Sequence, residues 1–166
     1  MQSTVTNPAQ DTIAEAKAEF NRAKDRLAHC LATTPDDKIN WSPSPTARTP
    51  IEVVVHAAMG TAGIHGMLQG KPFPFSGPDA IDAVSRSSEK EYKTREQVLG
   101  YLDQTSSDYL DWLDGLTAEQ LASTWDAPFG TFPMTSAITF PADHLRNHAG
   151  QIDYIQTIYG DRDWHM

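Results

Sequence analysis

The chain has 166 residues, of which 39% are hydrophobic and 21% charged, and its formal net charge is -9. This length suits one domain with a real core and is too short for two, so residues 1–166 are expected to form a single domain with a flexible segment at residues 1–9. The acidic excess argues against a nucleic-acid partner, because duplex binding depends on Lys and Arg that neutralise phosphates. No apolar run approaches the ~20 residues that span a bilayer, so a soluble protein without a membrane partner is expected.

The amino end and the cysteine content bear on the cellular compartment. The first residues, MQSTVTNPAQDTIAEAK, have neither a basic start nor an apolar segment before a cleavage site, so no secretory signal is predicted. Cys30 is the only cysteine, which excludes an intramolecular disulfide and fits a reducing compartment. A cytoplasmic location is therefore the expectation.

Helical periodicity and capping signals predict the first two helices. Apolar positions from Ile13 to Leu31 recur at helical spacing, so residues 10–33 are predicted as the first amphipathic helix. In the stretch RTPIE, Thr49 suits an N-cap, the proline after it suits the first helical position, and Glu52 completes a capping box. A second helix that carries His56 and stops near Gly70 follows from these signals.

The chain between the second and third helices is predicted to be a long crossover. Residues 71–93 begin with KPFPFSGP, whose three prolines and one glycine no helix tolerates, and contain one short helical turn around DAIDAV. The third helix is predicted to start at the cap Thr94, with Gln97 at the capping-box spacing, and to stop at Gly115. The later segment WDAPFGTFP is expected to contribute a small extended piece.

The fourth helix carries an apolar stripe and ends at Gly160, but its start has two alternatives. Thr135 or Ser136 caps it and Pro141 then kinks it, or the helix begins later, near Thr139. Four amphipathic helices with little strand signal predict an all-α fold, an antiparallel four-helix bundle.

Three histidines on two of these helices are candidate metal ligands. His144 and His148 are four residues apart in the fourth helix and therefore share one face, on or beside the apolar stripe. An interior position favours the neutral imidazole, which is the form that binds metal. His56 on the second helix is the best third ligand, because a bundle can bring one side chain per helix to a common point. Three nitrogens would leave a divalent ion with an open position; the alternative is three hydrogen-bonded core histidines.

Further positions near these histidines have two explanations each. Glu52, one turn before His56, is either a cap or a fourth ligand or general base. Gln151 either hydrogen-bonds a ligand ring or bound water, or solvates its helix. Gly60 either opens a pocket beside the ion or permits close helix packing. His65 lies nine residues after His56, roughly 180° around the helix, and is not expected to join the cluster.

Several aromatic residues are expected either to line a pocket or to belong to the core. They are Phe73, Phe75, Trp125, Phe129 and Phe132.

Over residues 10–162 the pattern resembles the DinB/YfiT superfamily of bacterial four-helix-bundle proteins. The fourth helix reads H-x-x-x-H-x-G-Q-I, from His144 to Ile152, and ends in Y-G; the second carries His56 within IEVVVHAA, after an acidic-then-tryptophan segment. The resemblance implies a long crossover between helices 2 and 3, frequent dimerisation, and a zinc or nickel ion held by His56, His144 and His148. Pro141 departs from the commoner pattern, which bears on the start of the fourth helix and not on the ligands.

Three hypotheses for the function stay open, and the first of them draws on the resemblance. Relatives include enzymes that use low-molecular-weight thiols such as bacillithiol or mycothiol, which implies a metal-dependent thiol S-transferase acting on small electrophiles, with Cys30 not the nucleophile. The second hypothesis is a metal-dependent hydrolase in which Glu52 assists proton transfer. The third is a non-enzymatic, stress-related bundle that binds a metal or small ligand and whose ion mainly stabilises the fold. A small-molecule substrate and a homodimer are the expected partners.

Overall fold

The computed structural model describes residues 7–73 and 77–165. In chain order its elements are α1 (Pro8–Thr33), α2 (Pro50–Leu68), α3 (Pro78–Glu89), α4 (Arg95–Asp114), α5 (Ala118–Leu121), β1 (Thr124–Ala127), β2 (Gly130–Pro133), α6 (Met134–Ala137) and α7 (Phe140–Ile158). The long helices α1, α2, α4 and α7 form the bundle, so the predicted all-α four-helix bundle with a long crossover is confirmed. Of the segment expected to be flexible, residues 1–6 lie outside the described residues, whereas Pro8 and Ala9 belong to α1, so the expectation is wrong for these two.

Capping signals in the sequence start two of the long helices where they were predicted. Thr49 Oγ1 accepts a hydrogen bond from the Glu52 amide at 3.2 Å, and the Glu52 carboxylate accepts one from the Thr49 amide at 2.9 Å. Thr94 and Gln97 make the same reciprocal pair at the start of α4. The side chain of Asn7 caps α1, which therefore begins two residues before the predicted start.

The start of α7 decides between the two alternatives for the fourth helix. Residues Met134–Ala137 form the separate short helix α6, and α7 begins at Phe140 after Thr139. Pro141 then lies in the first turn, where a backbone N–H has no intrahelical acceptor, so the missing N–H costs no hydrogen bond. The later start is correct.

The crossover is more helical than predicted. One short turn around DAIDAV was expected, whereas α3 is a helix of 12 residues. Its buried residues, Ser85 and Glu89, are polar, and Val84 is 49% exposed. The described buried residues of α3 are therefore polar, whereas the four long helices bury mainly apolar residues.

The helices do not all alternate in direction. Two ion pairs join α1 to α7, Glu19–Arg146 and Arg26–Asp153, and the residue numbers of both helices rise together along them, so α1 and α7 run parallel. Two more join α1 to α4, Lys17–Asp114 and Lys24–Asp103. Along these the number in α1 rises as the number in α4 falls, so α1 and α4 are antiparallel. The predicted antiparallel arrangement is thus wrong for α1 and α7, because the long connections of this chain allow sequence-distant helices to align.

Helix α2 opposes α7 and is therefore parallel to α4. Its His56 lies against His148 and its Gly60 against His144, so the two helices run in opposite directions. Since α4 is antiparallel to α1 and α7 is parallel to α1, α2 and α4 run the same way. The crossover between them must return the chain along the bundle, and α3 lies on this return path.

Helix α2 is the central helix of the core. By length and composition it could cross a membrane, with a mean hydropathy of 1.3, which corrects the expectation that no segment approaches that length. Ile51, Val54 and Val55 are nevertheless 0% exposed, and α2 packs between α4 and α7. Core helices of soluble proteins pass the same test, and packing in the bundle accounts for the hydropathy of α2.

The expected extended piece is an antiparallel hairpin of β1 and β2 in which Trp125 pairs with Phe132. The indole N–H of Trp125 donates to the carbonyl oxygen of Met67 at 3.1 Å, which ties the hairpin to the end of α2. Phe129 at the tip is 65% exposed and contacts both Trp125 and Phe132. These aromatic residues pack the hairpin, whereas Phe75 lies outside the described residues.

Candidate metal centre

The structure brings the three histidines of the sequence prediction together where α2 meets α7. Ring centroids are separated by 4.4 Å between His144 and His148, 4.8 Å between His56 and His148, and 5.6 Å between His56 and His144. One nitrogen from each ring can be chosen so that all three lie within 4.8 Å of one another. The i and i+4 positions of α7 place two rings on one face, and antiparallel packing against α2 supplies the third.

Burial keeps two of these imidazoles in the neutral form. Burial, and then the neighbouring rings of His148 and His56, lower the pKa of His144 to about 3. Burial also lowers the pKa of His148 to about 4, although its hydrogen bond with Gln151 acts in the opposite direction. Neutral imidazole offers a lone pair to a divalent cation without first losing a proton.

Hydrogen bonds on the far side of two rings orient them toward the cluster. His148 Nδ1 donates to Gln151 Oε1 at 2.8 Å, and His56 Nδ1 donates to Glu89 Oε1 at 2.9 Å. In both rings Nε2 is then the nitrogen that remains for a metal ion. Gln151 therefore takes the first of its two predicted roles, as a hydrogen-bond partner of a candidate ligand.

Glu89 is the part of this site that the sequence analysis missed. It is the last residue of α3 and only 1% exposed, and its second carboxylate oxygen accepts from Arg48 Nε at 2.8 Å. Burial alone would raise the pKa of Glu89, but the hydrogen bonds from His56 and Arg48 outweigh it and hold this pKa below its ordinary value. No motif marks Glu89; the available signal was a helical turn before it in the segment assigned to the crossover.

Gly60 and His144 are in close contact across the α2–α7 interface. A Cβ atom added to Gly60 would lie 2.0 Å from His144 Nε2, so only glycine leaves room for this ring. His144 Nε2 is buried and has no hydrogen-bond partner among the described residues. A bound cation would give this nitrogen a partner, and the donor set of three neutral imidazoles fits zinc or nickel.

The two remaining site positions behave differently from the triad. The backbone amide and the side-chain carboxylate of Glu52 both hydrogen-bond to Thr49, so the carboxylate caps the start of α2. His65 lies on the other side of α2, with its ring 5.3 Å from Trp112 and 5.8 Å from Tyr109. Its predicted exclusion from the cluster is borne out by this position.

The fold and the site together define a class of protein: four-helix bundles in which three histidines from two helices converge. Residues 9–152 match the DinB superfamily, and the chain belongs to it. No curated protein is significantly similar to the chain in sequence.

Solved structures share the fold at low sequence identity. YfiT from Bacillus subtilis, a probable metal-dependent hydrolase with an unusual four-helix bundle topology, matches with a TM-score of 0.69 and 15% identity over 96% of this chain and 93% of that one. The mycothiol-dependent maleylpyruvate isomerase matches with a TM-score of 0.62 and 12% identity over 92% of this chain and 63% of that one. At these identities the likeness shows the fold alone.

A third solved structure bears on the expected absence of a nucleic-acid partner. The colibactin self-resistance protein ClbS, in complex with double-stranded DNA, matches with a TM-score of 0.63 and 15% identity over 87% of this chain and 94% of that one. Membership of this fold therefore does not exclude DNA binding. The expectation for this chain rests on its net charge alone.

Proposed function

We propose that His56, His144 and His148 bind one divalent metal ion, zinc or nickel, and that the protein is a metal-dependent thiol S-transferase acting on small electrophiles. The observation that carries the metal centre is the convergence of three imidazole nitrogens within 4.8 Å, without a carboxylate in the group. The three ligands come from two rigid helices, which hold them in a defined geometry. Three protein ligands leave a position for a further group, as in catalytic rather than structural sites.

When bound, the cation would lower the pKa of a thiol or a water molecule held at its open position. In thiol transfer the sulfur lone pair forms the new S–C bond, the thiol proton passes to solvent, and the leaving group departs with the electrons of its broken bond. The protein has to supply neither a nucleophile nor a general base. Burial, with the hydrogen bond to Asp153, raises the pKa of Cys30 to about 12, so the nucleophile comes from a low-molecular-weight thiol of the bacillithiol or mycothiol type.

Hydrolysis is the second candidate, and similarity to the probable hydrolase YfiT favours it. This reaction benefits from a carboxylate that accepts a proton from water. Glu52, the residue singled out for that role, accepts a hydrogen bond from the Thr49 amide at 2.9 Å instead. Glu52→Gln is therefore expected to leave any metal-dependent activity within a factor of about two, whereas loss of hydrolysis with metal retained would favour the hydrolase.

The central test combines metal analysis with turnover. Protein purified without added metal is analysed for zinc and nickel, and the reconstituted protein is assayed with bacillithiol, mycothiol and a panel of alkyl and epoxide electrophiles. Conjugation that requires the metal and is absent from His148→Ala supports the transferase. A fully loaded protein that conjugates no thiol to any electrophile rules it out, and strong thermal stabilisation without turnover would support the non-enzymatic alternative.

The proposed partners are a small-molecule substrate and a second copy of the chain. A net charge of -9 opposes binding to phosphate backbones, so no mobility shift of duplex DNA is expected at physiological salt. Light scattering tests the homodimer implied by the family resemblance.

A further inference from the structure

Helix α3 is attached to the bundle mainly through polar groups. Its buried residues are Ser85 and Glu89, and it packs against α2. Arg48, in the segment just before α2, donates to Glu89 at 2.8 Å and pairs with Asp82 at 3.1 Å. The remaining oxygen of Glu89 accepts from His56, so the carboxylate links α3 to a proposed metal ligand.

The geometry of this link determines which nitrogen of His56 carries the proton. Arg48 has only donors, so one oxygen of the Glu89 carboxylate must accept from it. The other oxygen of the same carboxylate is also an acceptor, so His56 donates to it. Nδ1 of His56 must then carry its hydrogen, which leaves the Nε2 lone pair directed at the cluster. The side chain of Glu89 is 1% exposed, so water does not compete for these bonds.

We propose that Glu89 is a positioning residue for His56: its carboxylate holds the ring in the tautomer that presents Nε2 to the metal ion, and the same hydrogen bond couples docking of α3 to metal binding. Coupling is reciprocal, because an interaction that favours metal binding in the docked state must favour docking in the metal-bound state. The inference rests on the proposed metal centre, whose failure is distinguishable below.

The first measurement is the ring tautomer of His56 in metal-free protein, by nitrogen-15 NMR of the imidazole. The Nδ1–H tautomer is expected in the wild type. In Glu89→Gln the single amide oxygen accepts from Arg48, so the amide NH2 group faces His56 Nδ1 as a donor and favours the Nε2–H tautomer. In Glu89→Ala the Nε2–H tautomer is expected to appear. A purely structural role of Glu89 would leave the tautomer unchanged.

The second measurement is zinc affinity, by competition with a chromophoric chelator. Removal of a hydrogen-bond partner behind a ligand ring weakens binding by about 10- to 100-fold, and this loss is expected for Glu89→Ala although all three histidines remain. Asp82→Asn is the matched control, since it removes exposed ion pairs of α3 with Arg48 and Arg86 but leaves the Glu89–His56 hydrogen bond in place. This control should change affinity by less than about twofold, because exposed ion pairs contribute little.

The third measurement is amide hydrogen exchange in α3 with and without saturating zinc. Zinc is expected to slow exchange at residues 78–89 in the wild type and not in Glu89→Ala. Equal zinc affinity of Glu89→Ala and wild type, or an unchanged His56 tautomer, would overturn the proposal while leaving the metal centre intact. If the wild type binds neither zinc nor nickel, the metal centre itself is wrong and the coupling falls with it.

Discussion

Helix α2 carries two histidines whose surroundings differ in an instructive way. His56 faces α7, where His144 and His148 converge on it, whereas His65 faces α4 and packs against Tyr109 and Trp112. Burial lowers the pKa of His65 as it does that of His144, and Nε2 of each ring lacks a hydrogen-bond partner among the described residues. A lowered pKa and an unpartnered nitrogen are thus common to both sites. Only the convergence of three nitrogens distinguishes the candidate metal centre.

The largest effect on zinc binding is expected when one ring of the histidine triad is removed, because only these rings distinguish the surroundings of His56 from those of His65. His56→Ala, His144→Ala and His148→Ala are each expected to weaken zinc binding by more than about 100-fold, since even outer hydrogen-bond partners contribute 10- to 100-fold. His65→Ala is the matched control and should keep one ion per chain. Elemental analysis and zinc titration measure both. Retention of metal by a triad variant would contradict the assignment, as would its loss from His65→Ala.

The second-largest effect on zinc affinity is expected at one of the glycines of α2. In Gly60→Ala the new Cβ must displace the His144 ring, and zinc affinity is expected to fall by about 10- to 100-fold, comparable with loss of a ring's orientation. Gly63 has no atom within 4 Å of the corresponding position, so Gly63→Ala should preserve affinity and stabilise the helix by up to ~1 kcal/mol. Zinc titration and thermal melting of both variants separate these outcomes. Equal affinities would show that the ring can move without loss.

Metal removal should lower thermal stability only where the triad is intact. At a free metal concentration of about 100 times Kd, binding stabilises by about 2.7 kcal/mol, which corresponds to a Tm change of about 5–10 °C in a chain of this size. Chelation should therefore lower the Tm of wild type and of His65→Ala by that amount. Calorimetry of His148→Ala should show no change, and a full shift in that variant would place the ion elsewhere.

The smallest effect is expected at Cys30, a buried titratable group that belongs to neither histidine region. Its thiol donates to Asp153 at 3.2 Å, and burial raises its pKa to about 12, so about one molecule in 10⁴ carries the thiolate at pH 8. Thiolate increases tenfold per pH unit up to that pKa, but native protein should stay unlabelled by iodoacetamide near neutral pH. Mass spectrometry before and after unfolding provides the control. Rapid native labelling would contradict this raised pKa and make Cys30 a candidate nucleophile.

The boundaries of the long helices and the candidate ligands could be predicted because their causes are local. A capping box involves residues three positions apart, as in Thr49 with Glu52, and the i, i+4 spacing of His144 and His148 fixes a shared face within one helix. The ambiguity at Pro141 was also local, and the first-turn position resolved it. Glu52 illustrates the limit of such signals, since its type and position fitted two roles and only the observed hydrogen bonds separated them.

The sequence by itself thus determined the four long helices, though not the extent of α3, and which three imidazoles could share an ion. Tertiary structure alone decided that α1 and α7 run parallel, that Gly60 makes room for His144, and that Glu89 meets a histidine 33 positions earlier in the chain. Each of these contacts depends on where the long connections return the chain. Glu89 is a buried polar residue, so hydrophobic periodicity could not predict its contact with His56.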